Sequence, residues 1–326
     1  MAKLNMVQAI NLGLKQEMAN DNDVIILGED VGVDGGVFRV TDGLLDTYGD
    51  TRVLDTPLAE SAIVGSSIGM ALAGLKPVAE MQFSGFSYLA IHQMEGNAAR
   101  FRSRSQGVWT CPMVLRMPYG GGVRALEHHS ESREVLWAHN PGLKVVIPSS
   151  PRNARALIVA AIRDPDPVVF MEPKHSYRAF KEEVPEDEEV LPIGKAQVVQ
   201  EGTDVTLISW GATLRTALKA AKAVGEETGK SIEIIDLLTI SPMDTETIVA
   251  SVKKTGRCVV AQEAVKSFGP ASEIIARLND HALMYLEAPV ARVTGYDVVT
   301  PNFIREKMYM PTVERIGNAL RETLEL

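Results

Sequence analysis

Arg52-Val-Leu-Asp55-Thr-Pro-Leu-Ala-Glu60-Ser-Ala-Ile-Val-Gly65-Ser-Ser-Ile-Gly69-Met-Ala-Leu-Ala-Gly74-Leu-Lys76-Pro-Val-Ala-Glu80-Met-Gln82 decides the fold of this chain. It reads as strand, helix, strand. Arg52 to Asp55 is short and apolar at its centre, and Thr56 and Pro57 are helix-start residues. Ile63, Ile68, Met70, Ala71 and Leu72 leave almost no polar face, so the helix is expected to be buried on most sides. Gly65, Gly69 and Gly74 each cost about 1 kcal/mol in a helix, which points to another backbone coming close, in a helix pair or between subunits. Glu60 has two readings. It is a first-turn carboxylate favoured by the helix dipole. Alternatively, it is a carboxyl at the rim of an apolar helix, desolvated and so suited to exchanging a proton.

The composition bounds the rest. With 326 residues the chain is long enough for two domains, and 45% hydrophobic with 23% charged residues is ordinary for a globular protein. A net charge of -9 argues against nucleic acid and anionic membrane as partners, both of which select basic faces. A small acidic substrate would need a local positive site. Cys111 and Cys258 are far apart and read as buried, inert thiols rather than metal ligands or a redox pair. Met1 to Lys15 has no signal-peptide run and no stretch approaches the roughly 20 apolar residues of a membrane span, so a soluble cytoplasmic protein is expected.

In chain order, Asn5 caps a helix with Met6, Ile10, Leu14 and Met18 on its apolar face, and the run Val24 to Leu27 is a buried strand. Gly28-Glu29-Asp30-Val31-Gly32 follows at the strand's carboxyl end, either a plain glycine turn or the edge of a ligand site. Tyr88 to Arg104 is helical, with Arg100, Arg102 and Arg104 as a solvated face or a subunit contact. Met113 to Met117 is a strand, and Pro118-Tyr119-Gly120-Gly121-Gly122 reads as a flexible wall of a site entrance, without the ending of a P-loop. Glu127-His128-His129-Ser130-Glu131-Ser132 is a histidine-bearing loop, read as a solvated turn or a catalytic element. Pro151 to Arg163 is a helix and Val168 to Met171 a strand. Lys181 to Glu189 is an acidic linker, after which strands and helices alternate again as in a mainly parallel sheet.

Asp55-Thr-Pro-Leu-Ala-Glu60-Ser-Ala-Ile-Val-Gly65, Gly28-Glu-Asp-Val-Gly32 and His129-Ser-Glu-Ser132 resemble the β subunit of the thiamine-diphosphate-dependent 2-oxo acid dehydrogenases, over essentially the whole chain. The resemblance implies an α/β fold of two three-layer domains with mainly parallel sheets. Residues 1–185 would be the pyrimidine-binding thiamine-diphosphate domain with its linker, and 186–326 a transketolase-like C-terminal domain engaged in assembly. It further implies that Glu60 hydrogen-bonds a ring nitrogen of the coenzyme's aminopyrimidine, with Glu29, Leu58, Gln82 and Phe86 around it. His129 would handle a proton during acyl transfer. Glu131 stands where glutamine is also common. A potassium ion on main-chain carbonyls of Met113, Ala161, Ile162, Asp164 and Asp166 is implied in the same way.

Relatives that grip the coenzyme's diphosphate through magnesium carry Gly-Asp-Gly and a later asparagine. Here the only Gly-Asp is Gly49-Asp50, followed by Thr51. The chain is thus expected to own half of a site, with an α subunit holding magnesium and the diphosphate in an α2β2 heterotetramer. A lipoylated acyltransferase core would be the acyl acceptor. Gln82-Phe83, His129-Ser-Glu-Ser132, Glu172-Pro-Lys174 and Tyr177-Arg178 lean towards a branched-chain 2-oxo acid, with pyruvate, acetoin and a non-catalytic assembly subunit as alternatives.

Overall fold

A computed structural model describes residues 1–326, and the chain divides into two compact units. The first is Met1–Tyr119 with Leu136–Ile193; the second is Gly120–Val135 with Gly194–Leu326. The histidine-bearing segment therefore leaves the unit that surrounds it in sequence and folds with the C-terminal one.

In the first unit, strands Lys144–Val146, Val168–Pro173, Val114–Tyr119, Lys76–Glu80, Val24–Gly28 and Val53–Asp55 lie side by side in that order, all parallel. Four of them are buried along all or nearly all of their length because parallel strands covered on both faces have no solvent side, and Val24–Gly28 is accordingly a continuous apolar run. Helix Met6–Asn20 begins at a capping box between Asn5 and Gln8 and packs closely on helix Pro151–Arg163. A Cβ on Gly13 would lie 2.5 Å from Ile158 Cγ2, so glycine is required at that crossing.

The central helix differs from its expected form. It spans Glu60–Leu72 rather than starting at Thr56, because the Thr56 amide donates to the Gly28 carbonyl (2.9 Å) and so continues the strand pairing. Ser61, Ala62, Ser66, Gly69 and Leu72 are exposed, so only one side of the helix is buried. Of its glycines, Gly65 faces the Gln93 side chain of helix Tyr88–Gly96, whereas a Cβ on Gly69 would meet nothing within 4 Å. Nor is the acidic stretch 181–189 a free linker. Glu182–Val184 pairs antiparallel with Ala2–Leu4, and Arg152 and Arg163 of the neighbouring helix take up Glu189 and Glu188.

In the second unit, the sheet order is Ala291–Gly295, Cys258–Val265, Val205–Ser209, Ile232–Asp236 and Gln197–Gln200, with the last strand antiparallel. Helices Gly211–Thr228 and Val313–Glu325 cover one face through Ala217, Ala221, Val224, Ile316 and Leu320. No helix in the chain is long and apolar enough to cross a membrane.

Candidate active site

The loops at the carboxyl ends of three adjacent strands form a rim in the first unit, where an open parallel sheet has no further backbone to satisfy. Asp55 ties two of them together, accepting from the Gly32 amide (2.6 Å) and the Val33 amide (3.1 Å). Glu60 is the first residue of its helix and only 7% exposed, yet its Oε2 is buried with no donor from the chain, as is Thr56 Oγ1. A buried carboxyl oxygen left open in this way is costly unless a ligand completes it. Glu29 lies nearby and is equally enclosed. Burial, then the charges of Glu60 and Asp30, push its carboxyl above the usual range.

Gln82 Nε2 donates to Asp30 Oδ2 (3.2 Å), which places it on the same rim. Phe86 is half-buried and ends a chain of rings: its centroid is 5.6 Å from Phe83, Phe83 is 5.4 Å from Phe38, and Phe38 is 5.1 Å from Tyr177. Leu58 is 76% exposed on the loop before the helix.

Beneath the rim is a buried ionic cluster. Arg116 binds Glu172 through two hydrogen bonds (2.7 and 2.9 Å) and binds Glu80 with Nη1, while the Tyr177 hydroxyl donates to Glu172. One cation thus serves two carboxylates. Burial pushes the Glu80 carboxyl above its usual range, against the pull of Arg116 and helped by the charge of Glu172. Burial likewise raises the Tyr177 phenol well above its usual value, which keeps it a donor.

His129 lies in the second unit, at the end of a 3-10 turn Glu127–His129, with its amide on the Leu126 carbonyl (3.0 Å). Gly120 and Glu131 close this loop through a backbone hydrogen bond of 3.1 Å. The glycine run at its entry is not a loose wall. The Gly121 amide donates to Glu263, and the Gly122 and Arg124 amides donate to the two oxygens of Glu306 (2.7 and 2.9 Å). Glu134, at the exit, is fully buried and accepts from Trp210 Nε1 (3.3 Å); burial, with the charge of Glu263, pushes its carboxyl up to about 7.

Met113, Ala161, Ile162, Asp164 and Asp166 lie at the opposite, amino-terminal edge of the first sheet, just before strands Val114–Tyr119 and Val168–Pro173 or in the helix end leading there. Their carboxylates are already neutralised. Lys144 sits 2.7 Å from both oxygens of Asp164, and Arg102 lies 2.6 Å from Asp166. The Met113 and Ala161 carbonyls each accept one amide, from Val168 (3.0 Å) and Asp164 (3.3 Å), which leaves each a second lone pair.

Glu80, Arg116, Glu134, Glu263 and Glu306 were not singled out from the sequence. For Glu80, Arg116, Glu134 and Glu263 the signal was a charge inside or at the end of an apolar run, as in Val114-Leu-Arg116-Met, where burial demands a partner that sequence alone does not name; Glu306, between Arg305 and Lys307, carried no such signal.

Residues 2–195 match the family described as "Transketolase, pyrimidine binding domain", and residues 194–316 match "Transketolase, C-terminal domain". A curated relative from Acholeplasma laidlawii, "Pyruvate dehydrogenase E1 component subunit beta", is 54% identical and covers 99% of this chain and 98% of its own length. Proteins of the same name from Bacillus subtilis (strain 168) and Staphylococcus aureus (strain Mu50 / ATCC 700699) are each 49% identical over the full length of both chains. A solved structure titled "Split gene transketolase, inactive beta4 tetramer" has the same fold, with TM-score 0.78 at 22% identity, over 100% of this chain and 99% of that one.

Proposed function

The chain belongs to the family of thiamine-dependent 2-oxo acid dehydrogenase E1 β subunits, built from the two transketolase-type domains, and from that premise we propose that it serves a pyruvate-type enzyme. With an α subunit it would catalyse oxidative decarboxylation of pyruvate and pass the acetyl group to a lipoyl group on an acyltransferase core. The relatives favour pyruvate over the branched-chain substrate that the sequence leaned towards. Glu172 and Tyr177, two of the residues behind that leaning, are engaged in the buried Arg116 cluster.

The observation that carries this reading is the buried Glu60 carboxyl with an open Oε2 at the rim. That oxygen fits a coenzyme ring nitrogen that gives and takes a proton, and the half-buried Phe86 ring fits the flat face of a pyrimidine. Thiamine diphosphate, when bound, supplies the nucleophilic carbon and the electron sink for loss of carbon dioxide. Glu60 would hold and exchange the proton at the ring nitrogen. Glu29, whose carboxyl is pushed above its usual range by burial and by the charge of Glu60, would lie beside it, and Leu58, Gln82 and Phe86 would orient the ring. His129 would move a proton during acyl transfer. Magnesium and the diphosphate would be held by the α subunit of an α2β2 assembly, a reading supported by the lack of Gly-Asp-Gly in this chain. A potassium ion, if bound, would use the spare carbonyl lone pairs of Met113 and Ala161 with Ile162, Asp164 and Asp166.

The test is turnover of a panel of 2-oxo acids by the chain co-expressed with its α subunit. Pyruvate is expected to have the highest kcat/KM; a clear preference for a branched 2-oxo acid would overturn the substrate assignment.

A further inference from the structure

We infer that Glu306 and Glu263 are positioning residues that clasp the loop carrying His129 by filling a cradle of backbone amides at its neck. The inference rests on the role proposed for His129. Gly120, Gly122 and Arg124 have φ of +84°, +85° and +58°, and such left-handed turns swing successive N–H groups to one side, making a concavity that takes anions. Here the anions are the chain's own. Glu306 uses both oxygens, one on the Gly122 amide and one on the Arg124 amide, and Glu263 takes the Gly121 amide.

Glu263 also accepts from Ser132 Oγ (2.8 Å), so one carboxylate joins the two ends of the loop around His129. Both acids are enclosed, Glu263 at 5% and Glu306 at 2% exposure, where a carboxylate is tolerated only if N–H and O–H donors satisfy it. The glycines follow from this. A Cβ on Gly120 would lie 2.9 Å from Glu263 Oε1, and one on Gly121 would lie 2.9 Å from Glu306 Oε1. Gly120 and Gly121 thus serve the close approach of two carboxylates, and Gly122 gives its amide to one of them.

Glu306→Gln keeps the shape but replaces one acceptor by an NH2 group that faces an amide N–H. In the full chain co-expressed with its α subunit, decarboxylation is read with an artificial electron acceptor and acyl transfer with a lipoylated acyltransferase domain. The variant is expected to slow acyl transfer at least about tenfold while decarboxylation stays within about threefold, because displacement of a catalytic side chain is felt only in the step it serves. Amide exchange at Gly122 and Arg124 is expected to quicken. Gly121→Ala, which keeps every charge and pushes the Glu306 carboxylate away, is expected to act in the same direction and carries the test if Glu306→Gln does not fold.

Acyl transfer within about twofold of the parent in the folded variants, or equal loss in both half-reactions, overturns the proposal. Unchanged amide exchange at Gly122 and Arg124 overturns it as well. The two failures separate through His129→Ala. Slow acyl transfer there with a normal Glu306→Gln overturns the clasp alone, whereas normal acyl transfer by His129→Ala overturns the histidine's role and with it the positioning.

Discussion

Arg116 grips the carboxylate of Glu172 with two side-by-side hydrogen bonds, Nε to Oε1 at 2.7 Å and Nη2 to Oε2 at 2.9 Å, and both side chains are sealed from solvent. The remaining nitrogen reaches Glu80 on the adjacent strand, so one guanidinium joins strands Lys76–Glu80, Val114–Tyr119 and Val168–Pro173 below the proposed pyrimidine rim.

Arg116→Met is therefore expected to cost about 3–5 kcal/mol of folding stability, since it strands buried carboxylates without their cation. Glu80→Gln should cost far less, because it keeps the shape of the side chain, leaves an oxygen to accept from Arg116 and leaves the two-bond Arg116–Glu172 pair intact. Urea unfolding of the two variants checks this, and near-equal losses would contradict the division of charge within the cluster.

Glu60→Gln keeps the size of the side chain and the burial but cannot exchange a proton. Decarboxylation is expected to fall by at least about 100-fold, with far-UV circular dichroism and unfolding midpoint close to the parent's. Normal turnover by a well-folded Glu60→Gln enzyme would remove the role proposed for this carboxyl.

Glu134 gives a stability change with a definite sign in pH. Burial, with the charge of Glu263, raises its carboxyl in the folded chain from the ordinary 4.5 to about 7. The unfolded chain thus loses this proton first as pH rises, so the residue's contribution falls between those two values and is constant above them. By linkage the loss amounts to about 3 kcal/mol. Glu134→Gln should accordingly gain stability relative to the parent on going from pH 5 to pH 8. An equal difference at both pH values would show that the group titrates normally.

Cys111 and Cys258 are both buried, and burial pushes each thiol up to about 12. Almost no thiolate is present at neutral pH, so neither should react with a disulfide reagent in the folded protein, and both should react once it is denatured. Rapid labelling of native protein would contradict the packing around them.

The α/β class was legible because a parallel sheet covered on both sides writes itself as short apolar runs separated by helices, as Val24 to Leu27 and the Pro151 to Arg163 helix do. Glu60 stood out because a carboxylate opens an otherwise apolar helix. The start of that helix was misread, since the pairing of the Thr56 amide with Gly28 depends on a strand nearly 30 residues away. Gly120 to Gly122 looked flexible for a related reason: glycine permits both mobility and close approach, and only the arrival of Glu263 and Glu306 from more than 140 residues downstream shows which applies.

The sequence by itself determined the alternation of strands and helices, the two-domain length and the placing of a carboxylate at the head of the Glu60 helix. All of these are written in local periodicity and residue type. The tertiary structure alone decided which charges are buried together, as with Arg116, Glu80 and Glu172, and which unit carries His129. Pairing of buried charges and docking of a loop are contacts between residues far apart in the chain. Their energies come from desolvation and hydrogen-bond geometry that exist only after the backbone has closed around them.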